Sequence, residues 1–128
     1  QVNISGFKIE RRDRVDKKGG GVCIYVKNEL SYKRRKDLES QSFEVLWISI
    51  RPPKLPRYCS PIAIACVYHP PNEDHRTFCN YLSYAIDTFL IEHPYSGIIV
   101  TGDFNQFPPS LLKSKFQHIK QFVNKPTR

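Results

Sequence analysis

The sequence contains no methionine, one tryptophan and no run approaching the ~20 apolar residues that a membrane-spanning helix needs. Its first residues, Gln1-Val2-Asn3-Ile4-Ser5, offer neither the basic start nor the apolar stretch of a secretory signal. Without an initiating methionine, the chain reads as a piece cut from something longer. The four cysteines (Cys23, Cys59, Cys66, Cys79) form no C-x-x-C pair and have no histidine at zinc-finger spacing. Disulfides are therefore not indicated, and a reducing, intracellular compartment is expected. Cys23 and Cys66 lie inside apolar runs, where a free thiol behaves as a small buried hydrophobe. Internal repeats, low-complexity segments and interior linkers are absent too. What remains is one domain's worth of chain: 128 residues, 40% hydrophobic and 12% aromatic, a composition that suits a packed core rather than a disordered tail.

The net charge of +8 is unevenly spread. Residues 1–36 carry eleven Lys/Arg against four acids, residues 37–112 four against eight, and residues 113–128 five against none. Two basic ends around an acidic middle suggest a polyanion path beside a site that holds metal or water. Ordinary solvated surface is the competing reading. It applies first to Lys33-Arg34-Arg35-Lys36, with a nuclear-localisation signal second.

Periodicity sets the expected elements. Residues 7–11 alternate, 21–26 are apolar and β-branched, and the turn Asp16-Lys17-Lys18-Gly19-Gly20 between them predicts a hairpin. The glycine triplet has no helix start after it, so a turn and a slim strand opening explain it better than a phosphate cradle. Residues 28–42 read as a loop. Residues 43–50 form a strand apolar on both faces, with Phe43, Val45 and Trp47 on one and Leu46, Ile48 and Ile50 on the other, which belongs inside a layered fold. A buried strand spans 62–68. Over 73–92 the period shifts to that of an amphipathic helix through Phe78, Leu82, Ala85, Ile86, Phe89 and Leu90, with Asn72 as its N-cap. A strand at 98–101 and a weak last helix with Phe116, Ile119 and Val123 on one face complete an α/β sandwich with mixed sheets.

The chemistry-bearing residues lie at strand ends. Gly102-Asp103-Phe104-Asn105 follows the apolar run Ile98-Ile99-Val100-Thr101, and ligand-binding residues collect at the carboxyl ends of strands in open α/β sheets. Asp103 can orient or deprotonate a water, and Asn105 can donate to that water or to a phosphate oxygen. An Asp-x-Asn turn that only caps backbone groups is the alternative. Tyr68 closes 62–68 as Asp103 closes its own strand. Its phenol can donate to a phosphate oxygen, or it sits there because tyrosine is amphipathic.

Arg11-Arg12-Asp13-Arg14, Gly19-Gly20-Gly21-Val22-Cys23-Ile24-Tyr25-Val26, Val67-Tyr68-His69-Pro70-Pro71-Asn72 and Gly102-Asp103-Phe104-Asn105 occur in that order. The chain resembles the endonuclease domain of non-LTR (LINE-type, jockey-like) retrotransposons, within the endonuclease/exonuclease/phosphatase superfamily. The closing Pro126-Thr127-Arg128 resembles a stretch shortly before that family's final motifs. The resemblance implies a four-layered α/β sandwich, of which residues 1–128 would be the central portion, truncated at both ends. It implies Mg²⁺-dependent nicking of duplex DNA in the nucleus, beside a reverse transcriptase domain of the parent polyprotein and with no membrane partner. Asp103 and Asn105 would position the attacking water and Tyr68 would stabilise the phosphate. Asn72, Arg12, Arg14, Arg34 and Arg35 are the candidate phosphate or nucleic-acid contacts. The relatives often show Tyr-x-Pro-Asn, one proline fewer than here, and many carry Arg where this chain has His69. The family's metal-binding Glu and its Ser-Asp-His end are not in this chain, so no residue here is assigned to the metal and residues 1–128 alone are expected to be inactive. The alternatives are a non-catalytic nucleic-acid-binding remnant and a phosphatase or RNA-directed member of the same superfamily.

Overall fold

The structure is a computed structural model that describes residues 3–13, 21–54, 56 and 60–116. Strands β1 (Phe7–Asp13) and β2 (Gly21–Lys27) pair antiparallel as the expected hairpin, from Phe7↔Lys27 to Asp13↔Gly21. Gly21 opens β2 at φ +116°, where a Cβ would stand 2.6 Å from the Arg12 carbonyl oxygen. Only glycine allows that approach. Arg14 and the rest of the turn lie outside the described residues, as do Cys59 and residues 117–128.

A second sheet has the order β3–β4–β5–β6: β3 (Ser31–Arg34), β4 (Glu44–Arg51), β5 (Ile62–Tyr68) and β6 (Ile98–Asp103). The first three are antiparallel neighbours, and β6 joins β5 in parallel after the crossover helix α1 (His75–Glu92). A single 3-10 turn at Lys36–Leu38 follows β3, and a four-residue helix α2 (Ser110–Lys113) follows β6.

The two-faced strand organises the core. Val45 and Trp47 of β4 join Ala63, Ala65 and Val67 of β5 against Phe78, Leu82, Ala85, Ile86 and Phe89 of α1. On the opposite face Leu46 and Ile48 pack against Val22 and Val26 of the hairpin, with Ile50, Ile64, Cys66 and Tyr68 at the margin. The described residues thus stack as hairpin, sheet and helix. Trp47, Phe78, Phe89, Leu46, Ile48 and Leu82 are fully buried, each stabilising the fold by roughly 1.5–3 kcal/mol relative to exposure. The hairpin packs over β4 and β5 and leaves the same face of β6 open, with Ile99 51% exposed.

Several expectations need correction. The segment 28–42 is not all loop, because β3 and the 3-10 turn form within it. The helix starts at His75, two residues late, and its N-cap is Asp74 rather than Asn72. The Asp74 carboxylate accepts from the Thr77 N–H at 3.1 Å and from the Thr77 hydroxyl, while Pro70–Glu73 closes a turn that leaves Asn72 exposed. Strand β6 continues two residues further, so Asp103 is its last residue. Phe116 packs against the helix-side core, but Ile119 and Val123 lie outside the described residues. Cys23 is exposed because Val22, Ile24 and Val26 take the inner face of β2. Cys66 is half-buried with its thiol pKa pushed up by burial, Cys79 is buried, and all three are free thiols. No helix among the described residues is long and apolar enough to cross a membrane.

Candidate active site at the ends of β5 and β6

The parallel register of β5 and β6 pairs Tyr68 with Asp103, so a phenol and a carboxylate stand side by side at the carboxyl end of the sheet. Partnered residues of adjacent strands share a face. For this pair it is the hairpin face, where Tyr68 is half-buried and Asp103 exposed. The close pairing depends on Gly102, at φ +133°, because a Cβ there would lie 2.0 Å from the Val67 carbonyl oxygen.

Asn105 is held from both ends. Its backbone takes the left-handed conformation at φ +50°, which asparagine tolerates better than most residues. Its N–H donates to Asp103 Oδ1 at 3.1 Å, and its Nδ2 donates to the His69 carbonyl at 2.6 Å. The His69 N–H in turn donates to the Asp103 carbonyl at 2.8 Å. The Asp-x-Asn turn therefore forms, and it also ties the loop after β6 to the end of β5. One carboxylate oxygen of Asp103 is engaged in the turn. Among the described residues nothing donates to the other, and the second Nδ2 hydrogen of Asn105 is likewise unspent. A fixed acceptor and a fixed donor at the edge of a sheet can hold a water between them.

His69, marked in the sequence only as standing where many relatives carry Arg, turns out to be a core residue. It is 1% exposed, stacked on Phe78 at 4.5 Å between ring centroids and met edge-on by Phe107 at 5.5 Å. Its Nε2 lies 2.9 Å from His75 Nδ1, and its Nδ1 is buried without a hydrogen-bond partner. Burial first, and the neighbouring His75 second, hold its pKa below the ordinary histidine value. It is a core histidine, with its ring enclosed by aromatic side chains. Two histidines six residues apart across a helix start carry no periodic signal that would have marked them in the sequence.

The three described arginines among the candidate contacts are turned into the fold. Arg12 donates to the carbonyls of Val45, at 2.9 Å, and Ser40, tying the hairpin to β4. Arg34 forks onto Glu39 at 2.7 and 2.9 Å and reaches Glu10 at 3.1 Å, and Glu39 also accepts from the Trp47 N–H. Hydrogen bonding to Glu39 outweighs desolvation and raises the Arg34 pKa. Arg35, 8% exposed, forks onto Asp37 at 2.9 and 2.7 Å, meets Glu92 at 2.9 Å and lies over the Phe89 ring. These guanidinium groups find their anions within the chain. Arg14 lies outside the described residues, and Asn72 is exposed in the turn after β5, at the same end of the sheet as Asp103.

Comparison with protein-family models, with curated proteins and with solved structures found no match. Among the described residues no three of His, Cys, Asp or Glu come together as a metal ion would require. Mg²⁺ is usually held by one or two carboxylates together with water and substrate phosphate. Asp103 supplies one carboxylate, half of it engaged in the turn, so the described donor set does not by itself make a Mg²⁺ centre.

Proposed function

We propose that the chain is the central portion of a phosphodiesterase, a DNA-nicking endonuclease of the non-LTR retrotransposon type with the four-layered sandwich of the endonuclease/exonuclease/phosphatase superfamily. The observation that carries this reading is the side-by-side placement of Tyr68 and Asp103 on adjacent parallel strands, with Asn105 pinned beside them. The four ordered motifs support it. Asp103 takes a proton from water as the water oxygen forms its bond to phosphorus, and the bond from phosphorus to the leaving sugar oxygen breaks, its electron pair staying on that oxygen, which takes up a proton from solvent. Asn105 donates to the water or to a phosphate oxygen. Tyr68 donates to a phosphate oxygen where charge accumulates. Mg²⁺, which this reading implies, calls for carboxylates beyond those described, and no step is assigned to it.

The test is a supercoiled-plasmid nicking assay on a chain extended to the whole endonuclease domain. Asp103→Ala should abolish EDTA-sensitive nicking while the melting temperature holds, and Asn105→Ala should lose at least ~10² in rate. Wild-type nicking by either variant, or loss that merely follows unfolding, would leave the turn-capping role alone. A second reading, a nucleic-acid-binding remnant without catalysis, is favoured by one observation: the Asn105 amide is already engaged with the His69 carbonyl. Under that reading DNA binding survives in the extended chain and nicking never appears.

A further inference from the structure

The residue that clamps the site is itself clamped by an imidazole pair. His69 holds Asp103 through its N–H and Asn105 through its carbonyl, at 2.8 and 2.6 Å. Its ring is fixed between Phe78, Phe107 and His75. The position of Asn105 therefore depends on how one buried ring is seated.

Only one proton lies between His69 Nε2 and His75 Nδ1, and its origin can be argued. If His75 donated, the single proton of neutral His69 would sit on Nδ1, a buried N–H without a partner. If His69 donates from Nε2, its Nδ1 is left as a bare lone pair, the cheaper of the two orphans. The geometry points to the second arrangement, with His75 carrying its own proton on Nε2. His75 is itself only partly buried. A further proton has no good place. On His69 it creates the unpartnered Nδ1–H between aromatic rings. On His75 Nδ1 it meets a donor and breaks the 2.9 Å contact.

We propose that the His69–His75 pair is the positioning element of the candidate site, a latch that seats Asn105 while both rings are neutral and releases it when the pair takes up a proton. The proposal rests on Asp103 and Asn105 being the working residues. Among the described residues, Glu73 and Asp74 in the turn before α1 act on the His69 charge, Asp103 adjoins His69 at the end of β6, and Arg76 follows His75 on α1. Glu73 and Asp74 favour the protonated form of His69, whereas burial and His75 oppose it and prevail, which holds its pKa below the ordinary histidine value.

The experiment is a nitrogen-proton NMR titration of the full chain from pH 8 to pH 4.5, following both rings and the Asn105 side-chain amide. At neutral pH His69 should be protonated on Nε2 alone, and the Asn105 signal should move with the proton uptake of the pair as the pH falls. In His75→Asn the carboxamide oxygen replaces Nδ1 as an acceptor that takes no proton, so the neighbour that opposes protonation of His69 is gone and the Asn105 midpoint should rise. The proposal is overturned if His69 carries its neutral-pH proton on Nδ1, if the Asn105 amide is flat through the titration of the pair, or if His75→Asn leaves its midpoint unchanged. Should that variant fail to fold, the wild-type tautomer and titration decide alone. None of these readouts involves nicking, so the latch can fail while the nuclease reading stands, and the reverse.

Discussion

Gly102, Asp103 and Asn105 each answer a different demand within four residues. Gly102 is required by backbone contact, since any Cβ would overlap the Val67 carbonyl. Gly102→Ala should therefore force β6 away from β5 and cost about 2–4 kcal/mol in urea unfolding, more than a typical single substitution. Asn105→Gly separates the other two demands. It keeps the positive φ of the loop and removes the amide, so it should cost only the bond to the His69 carbonyl, about 1 kcal/mol, while losing whatever the carboxamide does for substrate. Nicking in the extended chain measures that difference, and near-wild-type activity would make Asn105 a turn residue only. Asp103, Asn105 and Tyr68 were legible in the sequence because they end apolar runs. His69 was not, because a histidine after a strand gives no sign of whether its ring will face solvent or an aromatic box built from residues 78 and 107. The internal partners of the basic residues were hidden for a related reason. Charge is visible in a sequence, but the pairing of Arg34 with Glu39 and of Arg35 with Glu92 exists only after folding.

Elements were legible where burial is two-sided and illegible where polar side chains face inward. Strands β4 and β5 announce themselves by apolar residues on both faces, and both faces of β4 are filled as expected. Strand β3 stayed hidden because its inward positions are Tyr32 and Arg34, whose tips reach Glu10 at 2.7 and 3.1 Å instead of entering a core. At the start of α1, asparagine and aspartate are nearly equal N-caps by type, and what decides is Thr77 three residues after Asp74. Asp74→Ala should lower the midpoint of thermal or urea unfolding, whereas Asn72→Ala should leave it close to wild type. Equal losses at the two positions would return the cap to Asn72.

At the scale of the whole molecule, the layering of hairpin, sheet and helix followed from periodicity, and the parallel β5–β6 pair was the arrangement needed for Tyr68 and Asp103 to converge. Two half-buried phenols set an alkaline limit. Tyr81 accepts from the Trp47 indole and donates to the Leu38 carbonyl, Tyr32 donates to Glu10, and burial pushes both pKa values up to about 12. A folded-state pKa raised above the unfolded value gives stability that is complete below pH ~10 and is lost as the pH rises toward ~12. Tyr81→Phe should weaken that alkaline loss in a melting-temperature series, despite breaking the Trp47 contact. With Arg12, Arg34 and Arg35 committed internally, duplex DNA affinity would rest on exposed lysines such as Lys8, Lys27, Lys33 and Lys36. Log affinity should then fall with log salt by about 0.9 per phosphate neutralised, and Lys33→Ala should flatten the slope where Arg34→Ala does not. A salt-independent affinity would remove DNA as the partner. The crossover through α1 also puts the site on a clock. Strands β3, β4 and β5 can zip as neighbours in sequence, but Asp103 meets Tyr68 only once an 18-residue helix has formed and docked between them. Tyr68 and Asp103 belong to the longest-range closure of the sheet, so a nascent or locally opened chain presents its hairpin and meander intact before it brings these two side chains together.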